Sequence, residues 1–191
     1  MSYVDVVAVE VSEPRARLTD ELKFSITFQC KIKPEQADLA WRIVWVGSAK
    51  NEVHDQILEE VDVPPELGLN SFDFICDGPN PDKIPADEVL GVTVVMVQAL
   101  YKGKEFLRVG YYVKVDYTDE KLREEPPQVE RPDPALLERL ILTDEPRVTR
   151  YLIEWDSCNA AYSEEGNSGE QTNDSETVLE EVKPEAQVIT S

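Results

Sequence analysis

The chain is short of the residues from which most active sites are built. Its 191 residues include one histidine, three cysteines and eight glycines. A lone His54 excludes any site that needs two imidazoles, zinc chemistry of the HExxH kind included. A Ser–His–Asp arrangement would have to use His54, and no GxSxG stretch accompanies it. The expectation there is an ordinary, partly exposed strand histidine. The scattered glycines form neither a GxxxxGKS/T nor a GxGxxG loop, so no phosphate cradle is expected. Cys30, Cys76 and Cys158 are odd in number and far apart, with no CxxC, which points to a reducing compartment rather than a disulfide framework. No apolar run approaches the roughly 20 residues that span a bilayer. The opening MSYVDVVAVEV has no basic stretch leading into an apolar one, so no secretory leader is expected. Carboxylates are so common that a pair of them carries little catalytic signal, and a small hydrolase using paired carboxylates stays open as an alternative class. These absences predict a protein with no catalytic residues, no metal and no cofactor.

Positive charge is scarce too: 19 Lys and Arg stand against 39 Asp and Glu, a net charge of -20. From Asp156 onward there are nine acids and a single lysine, Lys183; residues 1–155 carry the remaining -12. A body and a tail that are both acidic argue against direct binding to nucleic acid or to an anionic membrane, since like charges repel. The charge suits a basic macromolecular partner, although it also serves plain solubility.

What the chain has in quantity is alternation. Leu22, Phe24, Ile26, Phe28, Cys30 and Ile32 interleave with polar residues, the period of a strand with one face in a core. Leu39, Trp41, Ile43 and Trp45 repeat it, as do Phe72, Phe74 and Cys76, and Val4, Val6 and Ala8 more weakly. Further strand runs cover 91–101, 105–117 and 149–155. Pro34, Pro64-Pro65 and the stretch 77–82 supply turns. Short strands between turns predict an all-β fold, an immunoglobulin-like antiparallel β-sandwich. Two helical pieces are expected. One is a short turn at 85–89, and the other covers 133–142, where Asp133 caps and Pro134 takes the first position. After Ser157 the composition turns to Ser, Glu, Asn, Gly and Thr, which cannot bury enough apolar surface to offset its ordering entropy. The predicted division is a core at 1–156 and a disordered acidic tail at 157–191.

The runs flanking Lys102-Gly103-Lys104 read as a hairpin. A three-residue loop pairs Tyr101 with Glu105, and then Ala99 with Leu107, Val97 with Val109 and Val95 with Tyr111, all apolar and suited to the core. The other face then pairs Gln98 with Arg108, Met96 with Gly110 and Val94 with Tyr112. Val44, Val46 and Val92 extend that outer face, which is too apolar to stand open without purpose. Either a loop or the expected 133–142 helix covers it, or it is a partner-binding face with an apolar centre, Arg and Tyr anchors and an acidic rim that includes Asp55 and Glu88. Gly110 would let a partner backbone approach.

The segments WRIVWVGSA (41–49), DQILEEV (55–61), DGPNPDKIP (77–85), GVTVV (91–95), EFLRVGYYV (105–113), LREEPP (122–127) and PRVTRYLIEW (146–155) together resemble the anti-silencing function family of histone chaperones, in the same order over about residues 1–155. The resemblance implies a nuclear, non-enzymatic protein, monomeric alone, whose concave sheet face clasps histone H3 in the H3–H4 dimer and blocks H3–H3 tetramerisation. Carried over residue by residue, the H3-binding positions are Val46, Asp55, Val94, Arg108 and Tyr112, with Glu88 and Val92 beside them. A histone H4 tail would add as a strand along Arg147, Val148, Thr149, Arg150 and Tyr151. Nucleosome-assembly factors would dock on the opposite face, where only Glu35 and Asp38 remain acidic between Lys31, Lys33 and Trp41. Lys50 also departs from the acidic pattern of relatives. An immunoglobulin-like adaptor for another basic or helical nuclear protein is the alternative.

Overall fold

The structure, a computed structural model, describes residues 2–31 and 39–155. Ten strands dominate: β1 (Val4–Ser12), β2 (Arg15–Arg17), β3 (Leu22–Cys30), β4 (Leu39–Trp45), β5 (Gln56–Asp62), β6 (Gly68–Cys76), β7 (Gly91–Tyr101), β8 (Lys104–Tyr117), β9 (Leu137–Ile141) and β10 (Arg147–Arg150). A five-residue helix, α1 (Glu120–Glu124), and four single 3-10 turns complete the described elements. All the strand pairs are antiparallel. One sheet has the order β1-β3-β6; the other runs β2-β9-β8-β7-β4-β5, with β10 also on β8. The all-β class read from the alternation is therefore observed.

The two sheets bury one shared core, in which the strictly alternating residues of β3 and β4 meet. Phe28 packs on Trp41 with ring centroids 5.4 Å apart, and Phe24 on Tyr111 at 6.2 Å. Trp41, Ile43, Val95, Val97, Val113 and Leu137 are fully buried, so each side chain gains about 1.5–3 kcal/mol from leaving water. Leu107, Val109, Tyr111, Val113 and Val115 all point inward, as the hairpin register requires.

The register itself is the predicted one from Val92↔Lys114 to Ala99↔Leu107, but the loop is not. Leu100 pairs with Glu105 and Tyr101 with Lys104, leaving a two-residue turn of Lys102 and Gly103, both at positive φ (49° and 74°). That is the turn whose twist matches the flanking strands. A bulge at Phe106 absorbs the extra residue and restores the expected pairing beyond it.

Residues 133–142 are not a helix. The Asp133 carboxylate does accept from the Ala135 N–H, and Pro134 does open a turn, but it ends at Leu136. Leu137–Ile141 then pairs with Val113–Tyr117 of β8, burying Leu137, Arg139 and Ile141. A free sheet edge and an alternating pattern outweigh one local cap. The turn expected at 85–89 is present at Ala86–Glu88. The last strand covers Arg147–Arg150 rather than 149–155, because the ladder ends with the Tyr151 N–H donating to Phe106 O. Beyond it Leu152 is 98% exposed, while Trp155 leaves the sheet to stack against Tyr3, Tyr101 and Phe106. His54 belongs to a 3-10 turn, Glu52–His54, not to a strand.

Candidate functional site

Because 137–141 is a strand at the side of β8, no helix among the described residues lies over the outer face of the larger sheet. The pairing sets that face out in rows. One row runs Glu60, Arg42, Gln98, Arg108, Thr149. The next runs Ile57, Val44, Met96, Gly110, Arg147. In the third, the Val46 N–H donates to the Val94 carbonyl (2.9 Å), Val94 faces Tyr112, and the Leu142 N–H donates to Tyr112 O (2.8 Å). An apolar band two rows deep is thus bounded by a polar row. Ile57, Val92, Tyr112 and Leu142 are open to solvent along it. A depression of about 180 Å³ lies between Val94, Met96, Arg108, Gly110, Tyr112 and Arg147.

Gly110 lines this depression. A Cβ there would meet Val94 Cγ1 at 3.5 Å and Met96 Cγ at 3.8 Å, ordinary contact distances. The fold therefore does not need glycine at 110. Gly47 is different, because a Cβ at that position would strike the His54 carbonyl. That close approach seats the 3-10 turn against the end of β4 and brings the Asp55 carboxylate to within 3.3 Å of the Gly47 N–H, which donates to it.

Burial pushes the Asp55 carboxyl above its ordinary range, against the opposing pull of the Gly47 N–H and the Arg108 charge. A raised carboxylate contributes stability below its unfolded pKa and loses it as pH rises through the folded one. Asp55→Asn keeps an acceptor for Gly47 and is expected to raise stability slightly at neutral pH, with the difference closing as pH falls into the acid range. Urea titrations of both proteins across that range test this.

Arg108 is already gripped in the free protein. Its Nε and NH2 donate to the two oxygens of Glu105 at 2.7 and 2.8 Å, and its guanidinium lies 5.7 Å from the Tyr151 ring centre. Glu105 holds Arg108 still more firmly protonated. Residues three apart on a regular strand face opposite ways. The bulge at Phe106 reverses that parity, placing Glu105 on the outer face beside Arg108 and Phe106 inside. Glu105 was not singled out in the sequence because bulges leave little trace there. Glu105→Ala should leave the fold intact, free the guanidinium, and weaken partner binding about fivefold by isothermal titration.

Val46, Val92, Val94, Arg108 and Tyr112 thus share one face, with Asp55 and Glu88 on loops at its end. Ile57, Met96 and Leu142 join them; of these only Met96 had been placed on that face. Arg147–Arg150 form β10, whose inner edge pairs with β8 and whose other edge has no strand among the described residues. Tyr151 continues it by one hydrogen bond. Glu35 and Asp38 lie outside the described residues, as does the stretch 157–191. No cluster suited to a metal ion occurs among the described residues.

The sequence model described as ASF1 like histone chaperone matches residues 1–156. This chain belongs to that family. Among the ASF1 relatives, the histone chaperone ASF1 of Mycosarcoma maydis is 46% identical over 162 residues, covering 84% of this chain and 91% of its own length. That of Kluyveromyces lactis is 45% identical over 158 residues, covering 82% and 56%. That of Chaetomium globosum is 44% identical over 156 residues, covering 81% and 55%. The chain thus spans little more than half the length of the last two ASF1 proteins.

Proposed function

We propose that this ASF1 family member is a histone chaperone that binds the H3–H4 dimer stoichiometrically, without catalysis. In doing so it prevents H3–H3 tetramerisation and hands histones over in nucleosome assembly and disassembly. The observation that carries the reading is the apolar band on the larger sheet, left open by the described residues and bounded by the Arg108–Glu105 pair, Asp55 and Glu88. Such a layout, an apolar centre with Tyr and Arg anchors and a charged rim, suits a protein partner. Val46, Val92, Val94 and Tyr112 bury apolar surface of H3, and the net charge of -20 steers the basic dimer in. The open edge of β10, from Arg147 to Tyr151, takes the H4 tail as an added strand. Glu35 and Asp38 receive assembly factors, the stretch 157–191 adds acidic attraction, and the protein works as a monomer in the nucleus.

Size-exclusion chromatography with light scattering on the protein mixed with purified H3–H4 tests this. A 1:1:1 complex is expected. A complex containing an intact H3–H4 tetramer, or no complex at all, rules the reading out.

A further inference from the structure

Lys50 stands out on the rim because, although exposed, it pairs with the chain's own acids. Its Nζ lies 3.2 Å from Glu88 Oε1 and 3.7 Å from Asp87 Oδ2. The pairing is built by the surrounding backbone. Ser48, itself buried, donates its hydroxyl to Glu88 Oε1 (3.1 Å) and accepts the Lys50 N–H (3.1 Å), while the Ala49 N–H donates to Glu88 Oε2 (3.3 Å). Glu88 thus has three donors in the free protein, and Lys50 is held in register by the same hydroxyl. The site is also the rim of the proposed face: Ser48 follows Val46 by two residues, and β7, which carries Val92 and Val94, begins three residues after Glu88.

We infer that Lys50 is a built-in counter-cation that occupies Glu88 and so competes with a cationic side chain of the partner for that end of the rim. A lysine or arginine arriving there must exchange with Lys50, so the net gain in ion pairing is small. This makes Lys50 a specificity-determining residue: it lowers the preference of this rim position for a basic group. The hydrogen bonds from Ser48 and Lys50 hold the Glu88 carboxyl below its usual range, and the Ser48 hydroxyl and Ala49 N–H still position it once Lys50 is removed.

The inference rests on the outer-face reading above, and one set of titrations separates the two. Binding of purified H3–H4 is measured at low and moderate salt for the intact chain, Lys50→Gln, Glu88→Gln, the double variant and Val94→Arg. Lys50→Gln is expected to bind about two- to fivefold tighter at low salt, with the gain shrinking as salt screens the new pair. Glu88→Gln keeps an acceptor for Ser48, and in its background the gain from Lys50→Gln should vanish. Unchanged or weaker binding by Lys50→Gln, or an equal cost of Glu88→Gln in both backgrounds, overturns the inference. If that happens while Val94→Arg still weakens binding roughly a hundredfold or more, the face stands and only the role of Lys50 falls. If Val94→Arg binds like the intact chain, both fall.

Discussion

Val94→Arg is expected to weaken histone binding roughly a hundredfold or more at moderate salt while leaving the protein folded. Val94 lies in the middle of the third row, hydrogen-bonded through its carbonyl to Val46 and facing Tyr112 across the ladder. Its side chain is half-buried and lines the depression above Gly110. In the free protein a longer side chain can rise into solvent, so unfolding free energy should change by no more than about 0.5 kcal/mol. In a complex the same guanidinium would be trapped at the apolar centre, where Glu105 is already committed to Arg108 and Asp55 to the Gly47 N–H. Burying an unpaired charge there should cost about 3 kcal/mol or more, roughly a hundredfold in Kd. The check is paired: thermal melts of the two proteins should overlay, and calorimetric titration with H3–H4 should show affinity lower by about a hundredfold or more for Val94→Arg. A Val94→Arg protein that binds normally would place the contact elsewhere, with the edge of β10 as the first place to look.

That face was largely legible before any coordinates, because alternation reports parity directly. Once Ala99, Val97 and Val95 are matched to Leu107, Val109 and Tyr111, Arg108 and Tyr112 have only one side left to occupy. Parity fails wherever a bulge intervenes. β1 looked weak because its pairing shifts between Val6 and Ala8, which turns Val9 and Val11, rather than Ala8 and Glu10, toward the core. The bulge at Phe106 hid Glu105 in the same way. β9 was misread for another reason: Asp133-Pro134 is a sound helix start, and nothing local says that a vacant edge of β8 lies within reach of Leu137. Loop geometry was the least readable part. Asp55 and Glu88 could be named as rim acids, but the hydrogen bonds that position them come from Gly47, Ser48 and Ala49, which are distant in sequence and carry no signal of their own.

Arg139 is the residue whose loss should most damage the fold. It sits on β9, only 1% exposed, with no carboxylate bonded to it among the described residues. Its guanidinium instead donates to four backbone carbonyls: NH1 to Arg17, Leu18 and Asp20, and NH2 to Glu21. Those carbonyls belong to the turn that carries the chain from β2, an outer strand of the larger sheet, into β3, the middle of the smaller one. Burial disfavours the charged form of Arg139, and its Nε has no partner among the described residues. The arrangement persists because the turn's carbonyls converge where water does not reach. Arg139→Ala removes every one of these donors at once and leaves a cavity between the sheets, a loss on the order of 4 kcal/mol. Arg139→Lys keeps the charge, but a single ammonium cannot replicate two diverging nitrogens, so it should recover only part of that. Equilibrium urea denaturation of the three proteins tests this order of stability. An alanine variant within about 1 kcal/mol of the intact chain would mean that the turn finds water or other donors, and that β3 is fixed by its ladder alone.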